Sequence, residues 1–290
     1  MVIGLLNFHY DNMNYSKEEL DKLRKLSYEL KIDVIKMLDK ADSGHIGGAF
    51  SIADIVTCLY FSVANLDPKN PVWDERDYIL LSNGHVCPIV YSALARKGFF
   101  PKEELDNLRK IDSLLQGHPK LGIPGIENTS GLLGQGLSQG VGIALGLTMD
   151  SKANKVYVIT SDGEHQEGQT WEAIMSANKW SLNNLVVIVD RNHVQIDGNT
   201  EDIMPLGNLK EKYESFGWIA LDINGHDYNE ILQTFDFVKH VDQPVAIIAH
   251  TISGEDISFM ERLYKYHDWK DDPEEVKKAL KELQAELDKF

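Results

Sequence analysis

The sequence predicts a doubly wound α/β fold: a mainly parallel sheet with helices on both faces. Two observations predict it. The runs Val156-Tyr157-Val158-Ile159-Thr160-Ser161 and Leu185-Val186-Val187-Ile188-Val189-Asp190 are too uniformly apolar to alternate between core and solvent. They read as strands buried on both faces, as in a parallel sheet. Strand-like segments at 78–81, 156–160, 185–190, 219–223 and 244–250 also alternate with helical stretches over short connections, which is the pattern of an α/β sheet. Glu167–Trp180, between the two apolar runs, has the apolar spacing of a crossover helix. A strand–helix–strand unit of this kind delivers both strand ends to one rim, and ligands of open α/β sheets bind at that rim.

The elements follow in order. Residues 1–15 have no period and read as an N-terminal arm, and 16–290 read as a single domain. Ser16-Lys17-Glu18-Glu19 forms a capping box that opens a long helix with Leu20, Leu23, Leu30, Val34, Met37 and Ala41 on one face. That helix stops near the turn-rich Ser43–Gly48. A second helix is expected next, capped by Ser51, with Ile52, Ile55, Val56, Leu59 and Tyr60 inward. Tyr78–Leu81 is a short strand that runs into Ser82-Asn83-Gly84-His85 and a further helix. Residues 117–136 are rich in glycine and carry no regular pattern; a long irregular loop inside a compact domain is usually functional. Leu137–Thr148 reads as a buried helix, and a last helix spans roughly 273–289.

Composition narrows the function. The chain has 290 residues, 43% hydrophobic, enough for a full core. Its net charge of −16 comes without a basic stripe, which argues against nucleic acid as a partner. Cys58 and Cys87 lie in apolar contexts and read as reduced packing residues. The N-terminus lacks a signal-peptide pattern, and no apolar run approaches the ~18 residues of a membrane span. The expected compartment is the cytoplasm.

The chemistry gathers at strand ends. Asp162-Gly163 follows one apolar run and Asn192 the next, so a carboxylate and an amide carbonyl are brought side by side. With the backbone carbonyl of Val194 they form a set of hard oxygen donors suited to Mg²⁺ on a ligand's phosphates. Gly163 lets a diphosphate approach the backbone closely. His45, His85, His118 and His267 sit in loops, three of them in Gly-His pairs. Their spacing is no helix-borne zinc motif, but loop imidazoles suit polyhydroxylated or phosphorylated substrates because they donate, accept and shuttle protons. Gly131-Leu132-Leu133-Gly134-Gln135-Gly136 leads into a helix and is neither a P-loop nor a dinucleotide fingerprint. Glu164 and Glu167 read equally as first-turn acids or as members of a proton relay.

Several spaced segments, taken together, resemble the N-terminal, thiamine diphosphate-binding half of transketolase, from about residue 20 to 268. They are Ser43-Gly44-His45, Leu81-Ser82-Asn83-Gly84-His85, Gly117-His118-Pro119, Gly134-Gln135-Gly136-Leu137-Ser138, Ser161-Asp162-Gly163-Glu164-His165-Gln166-Glu167-Gly168, Asp190-Arg191-Asn192 and Ile196-Asp197-Gly198. The resemblance implies a thiamine diphosphate-binding fold. It implies Mg²⁺, replaceable by Ca²⁺ or Mn²⁺, on Asp162, Asn192 and Val194. Cofactor contacts are implied for His85, Gly134, Gly163, Asn192 and His267. A substrate channel is implied along His45, His118 and His267, with His85 near the thiazolium and Glu167 in an acidic network at a subunit interface. The implied reaction moves a two-carbon ketol unit from a ketose or ketose phosphate to an aldose, with the cofactor as electron sink.

Full-length transketolases carry a second, pyrimidine-binding domain. The chain reads as ending after the first, so the expectation is a split enzyme active only with a C-terminal partner subunit, most simply as a heterotetramer. Four departures from the family pattern stand out: Ser161 for glycine, Ile46 for proline, His165 for an apolar residue, where it would touch the interface or cofactor, and the acidic Ser253-Gly254-Glu255-Asp256 where lysine and glycine are common. The last puts substrate preference in doubt and leaves room for an unusual acceptor in specialised metabolism. The α subunit of a 2-oxo-acid dehydrogenase is the alternative, disfavoured by the three Gly-His loops. A Mg²⁺-dependent phosphohydrolase and a non-catalytic subunit are weaker readings.

Overall fold

A computed structural model describes residues 15–270 and 272–290; the expected arm at 1–15 lies outside the described residues but for Tyr15. Helices α1 (Lys17–Ala41) and α2 (Ala53–Cys58) precede strand β1 (Tyr78–Leu81) and α3 (Cys87–Lys97). Then come α4 (Gln135–Met149), β2 (Val156–Ser161), α5 (Gly168–Lys179) and β3 (Leu185–Arg191). The remaining elements are α6 (Leu209–Ser215), β4 (Ile219–Asn224), α7 (Tyr228–Val238), β5 (Val245–His250) and α8 (Pro273–Leu287). The sheet order is β1-β2-β3-β5-β4, every neighbouring pair parallel.

The uniform apolarity of β2 and β3 has a direct cause: each face of the sheet has its own core. Tyr157, Ile159, Val186 and Ile188 pack with α1, α2, α3, α7 and α8. Val156, Val158, Val187 and Val189 pack with α4, α5 and α6. Successive side chains of a strand point to opposite faces, so both sets must be apolar. The capping box at Ser16 and Glu19 forms as the sequence predicts.

Two expectations need correcting. Ser51 does not cap α2. Its hydroxyl bonds the Gly48 carbonyl and Asp190 Oδ2 at 2.6 Å, and Ile52 occupies the cap without a side-chain bond. And α4 is buried on one side only: Gly136, Leu137, Gly140, Val141, Ala144 and Leu147 face inward while Met149 is 77% exposed. Small and apolar residues all round a helix hide which side faces the sheet.

Two short antiparallel ladders are not legible in the sequence. Gly44–His45 pairs with Asp268–Trp269, and Val194–Gln195 with Gly198–Asn199. Two-residue strands carry no period to detect.

Candidate active site

The rim at the C-terminal ends of β1, β2, β3 and β5 encloses a cavity of about 310 Å³. His45, His85, His118, His267, Gly163, Glu167, Asn192 and Val194 all line it. Gly134 and Asp162 lie behind this wall, both buried.

The four histidines converge. Ring centroids lie 5.1 Å apart for His45 and His85, 5.2 Å for His85 and His267, 5.5 Å for His45 and His267, and 6.3 Å for His45 and His118. Burial, the largest cause, holds all four below the ordinary histidine range, His45 at about 4. They are therefore neutral at neutral pH, and each can donate and accept. Asp268, directly across the ladder, stands 3.0 Å from His45 Nε2, while His45 Nδ1 is buried without a partner.

Asp162 follows β2 and is fully buried. Its Oδ1 accepts from Gly163 N–H at 2.7 Å. Its Oδ2 accepts from His193 N–H at 2.8 Å and Arg191 Nη1 at 3.1 Å. Burial pushes its carboxyl up, against the pull of Arg191. Asn192 gives both Nδ2 protons to Ser51 and Asp190, which leaves Oδ1 to accept from Val194 N–H at 2.9 Å. These bonds fix the orientation of the amide, and a carbonyl oxygen with one donor keeps a second lone pair. A Cβ on Gly163 would meet only Gln195 Cβ, at 3.5 Å, so the protein itself leaves that wall bare.

Three buried polar groups near the cavity lie outside the sequence-based expectation or are left undecided by it. Asn83 lines it, is fully buried, and neither of its amide atoms finds a partner. A buried unpaired amide is costly, so it points to a ligand. Its place between a strand end and Gly84-His85 is the available signal. Asp190 is held by Ser51 and Thr251, and burial pushes it up to about 7. Glu164 does stand in the first turn of a short helix, Gly163–Gln166, but it is buried and staples three segments. Ser82 Oγ, Gly134 N–H and Ser161 N–H all donate to it, and burial again raises it to about 7. Glu167, by contrast, is exposed at the cavity edge and occupies the N-cap position of α5 without a side-chain bond.

Two departures flagged in the sequence turn away from the cavity. His165 is buried between the Ser161 carbonyl and Tyr213 Oη, both at 2.8 Å. In the acidic segment only Ser253 reaches the cavity. Asp256 pairs with the buried Lys31 at 2.5 Å, and Lys31 lies 3.6 Å from Asp54. Asp54 also accepts from Ser27, Tyr228 and His226, and His226 Nε2 accepts from Ile252 N–H at 3.0 Å. The acidic residues thus anchor the segment that leads to His267. No Lys or Arg lines the cavity among the described residues, and none of the described helices is long and apolar enough to cross a membrane.

Residues 22–288 match the family model for the transketolase thiamine diphosphate binding domain. The chain is 37% identical over 273 residues to one of the subunits of the apulose-4-phosphate transketolase of Phocaeicola vulgatus, covering 94% of this chain and 97% of that one. It is 40% identical to the 6-deoxy-6-sulfo-D-fructose transketolase subunit of a Clostridium species, covering 93% and 99%. Among solved structures it is similar to transketolase from Campylobacter jejuni, with TM-score 0.87 and 32% identity over 94% of this chain. It spans only 43% of that chain and 40% of the transketolase of Rattus norvegicus, to which it is 38% identical.

Proposed function

This chain belongs to the transketolase thiamine diphosphate-binding domain family, and from that premise we propose that it is the diphosphate-binding subunit of a two-component transketolase. It would move a two-carbon ketol unit from a ketose to an aldose acceptor together with a partner subunit carrying the pyrimidine-binding domain. The observation that carries this reading is the convergence of four neutral imidazoles on a cavity whose floor is Gly163, Asn192 and Val194. The names of the relatives, subunits acting on apulose 4-phosphate or a sulfonated fructose, support a ketose as donor and a separate partner chain.

The residues fit the cofactor and its metal. Asp162, the Asn192 carbonyl and the Val194 backbone are hard oxygen donors of the kind Mg²⁺ takes beside a diphosphate. With no Lys or Arg among the described residues of the wall, a divalent ion is the group available to balance the diphosphate charge. Bound there, thiamine diphosphate would supply the electron sink for cleavage beside a carbonyl. The protein's own part is to hold and to move protons. Asp268 fixes the His45 ring at the cavity wall. His85, His118 and His267 present further neutral nitrogens able to accept a hydroxyl proton and return it. Asn83 offers both an amide donor and an acceptor at the same wall.

The test is an exchange assay between a ketose and an aldose, with the chain purified alone and co-expressed with a candidate partner subunit. Transfer is expected only in the assembled pair with thiamine diphosphate and Mg²⁺. Sustained turnover by this chain alone would overturn the two-component reading.

A further inference from the structure

We propose that His45, His267 and Asp268 form a second metal site, selective for borderline transition ions such as Zn²⁺ or Co²⁺, at which an ion closes the sugar side of the cavity. One ligand atom from each of the three residues lies within 4.8 Å of the other two. They are held by backbone and not by chance side-chain proximity: His45 and Asp268 are paired in register across the Gly44–Trp269 ladder, and His267 immediately precedes it. His45 Nε2 and Asp268 Oδ1 are already 3.0 Å apart. Tetrahedral zinc with bonds of about 2.1 Å needs donors about 3.4 Å apart, so the 3.0 Å pair is near that spacing and the widest separation, at most 4.8 Å, must shorten by up to about 1.4 Å.

The donor set separates this site from the one at Asp162. Two imidazoles and a single carboxylate suit Zn²⁺, Co²⁺ or Ni²⁺, whereas Mg²⁺ prefers oxygen ligands throughout. Two histidines and one carboxylate leave coordination positions open, and the His85 ring, 5.1 Å from His45 and 5.2 Å from His267, borders them. Binding is a substitution of partners: the ion takes the Nε2 lone pair of His45, and the ring proton that faced Asp268 moves to Nδ1. An ion there occupies the groups proposed to hold the sugar, so the closing of the cavity rests on the proposed function, while the metal site itself does not.

The first experiment titrates Co²⁺ into the full chain without thiamine diphosphate, in the presence of excess Mg²⁺, and reads visible d–d absorption. One equivalent is expected to give bands that are lost in Asp268→Asn and in His267→Gln and kept in Asp162→Asn. Absence of bands, or bands unchanged in both of the first two variants, overturns the site. Asp268 is 63% exposed in its side chain, so Asp268→Asn is expected to fold. The second experiment uses the assembled enzyme: Zn²⁺ inhibits competitively with sugar, and at least tenfold more weakly in Asp268→Asn. Inhibition that added sugar does not relieve overturns the closing of the cavity. An assembled enzyme with no transfer at all defeats the proposed function and leaves the Co²⁺ result standing.

Discussion

Gly163→Ala separates what the fold needs at the cavity floor from what a diphosphate needs. The added Cβ would meet a single protein atom, Gln195 Cβ, at an ordinary 3.5 Å, and Gly163 is not among the residues with positive φ. The free fold therefore loses less than about 0.5 kcal/mol, and the smaller unfolded-state entropy of alanine works in its favour. The same methyl stands in the space a diphosphate would fill. Overpacking of that kind costs about 1–3 kcal/mol, which is about 5- to 150-fold in Kd. Calorimetric titration of thiamine diphosphate with Mg²⁺, beside a thermal melt, reads both quantities on one sample. Gly136→Ala is the contrast, since its Cβ would fall 2.5 Å from Ser82 Cβ and 2.6 Å from Ser82 Cα; there the melt itself drops. A Gly163→Ala protein with unchanged melting and a Kd within twofold of the parent would refute a diphosphate seated over Gly163.

Three further outcomes are expected. Chelating divalent ions should weaken thiamine diphosphate binding at least 100-fold, because no cationic side chain among the described residues lines the cavity; binding that survives EDTA contradicts the assignment of charge balance to a metal. Asp54→Ala leaves the buried Lys31 with Asp256 as its one remaining carboxylate within 4 Å among the described residues and unmakes bonds from Ser27, Tyr228 and His226, at about 3–5 kcal/mol. Denaturant unfolding should show that loss, and Lys31→Met added to Asp54→Ala should recover part of it; no recovery means that the under-compensated charge was not the cause. Glu164 has a folded pKa raised from 4.5 to about 7, so the folded state binds the extra proton between those values. Stability attributable to it is greatest below about pH 4.5 and falls as pH rises through 7, by up to about 3 kcal/mol at 1.36 kcal/mol per unit. The stability difference between parent and Glu164→Gln, measured from pH 5 to 8 without metal, should trace that fall, and a flat difference counts against it.

How legible each feature is in the sequence follows how local its signal is. Strand β3 is expected at 185–190 and forms at Leu185–Arg191, because an unbroken run of apolar, β-branched residues permits little else. The crossover helix expected at Glu167–Trp180 forms over Gly168–Lys179, with those two residues as its caps. The motifs foreshadow the gathering of His45, His85, His118 and His267, but not the rigid pairing of His45 with Asp268, since that depends on a two-residue ladder between distant segments. Lys31 illustrates the other limit. A lysine on an amphipathic helix reads as solvated, and only the approach of Asp54 and Asp256 from elsewhere in the chain makes its full burial tolerable.

The ladder between Gly44–His45 and Asp268–Trp269 has a consequence for when the cavity can exist during synthesis. Its two halves are separated in sequence by the whole parallel sheet, and such distant pairings form late because loop-closure entropy must be spent before their contacts return anything. Three of the four histidines leave the ribosome long before the fourth. A nascent chain halted just before Tyr266 would contain β1 through β5 yet lack both His267 and the strand that holds His45 in place. The proposed sugar-side wall is therefore complete only once the ladder closes, well after every strand of the sheet has been made.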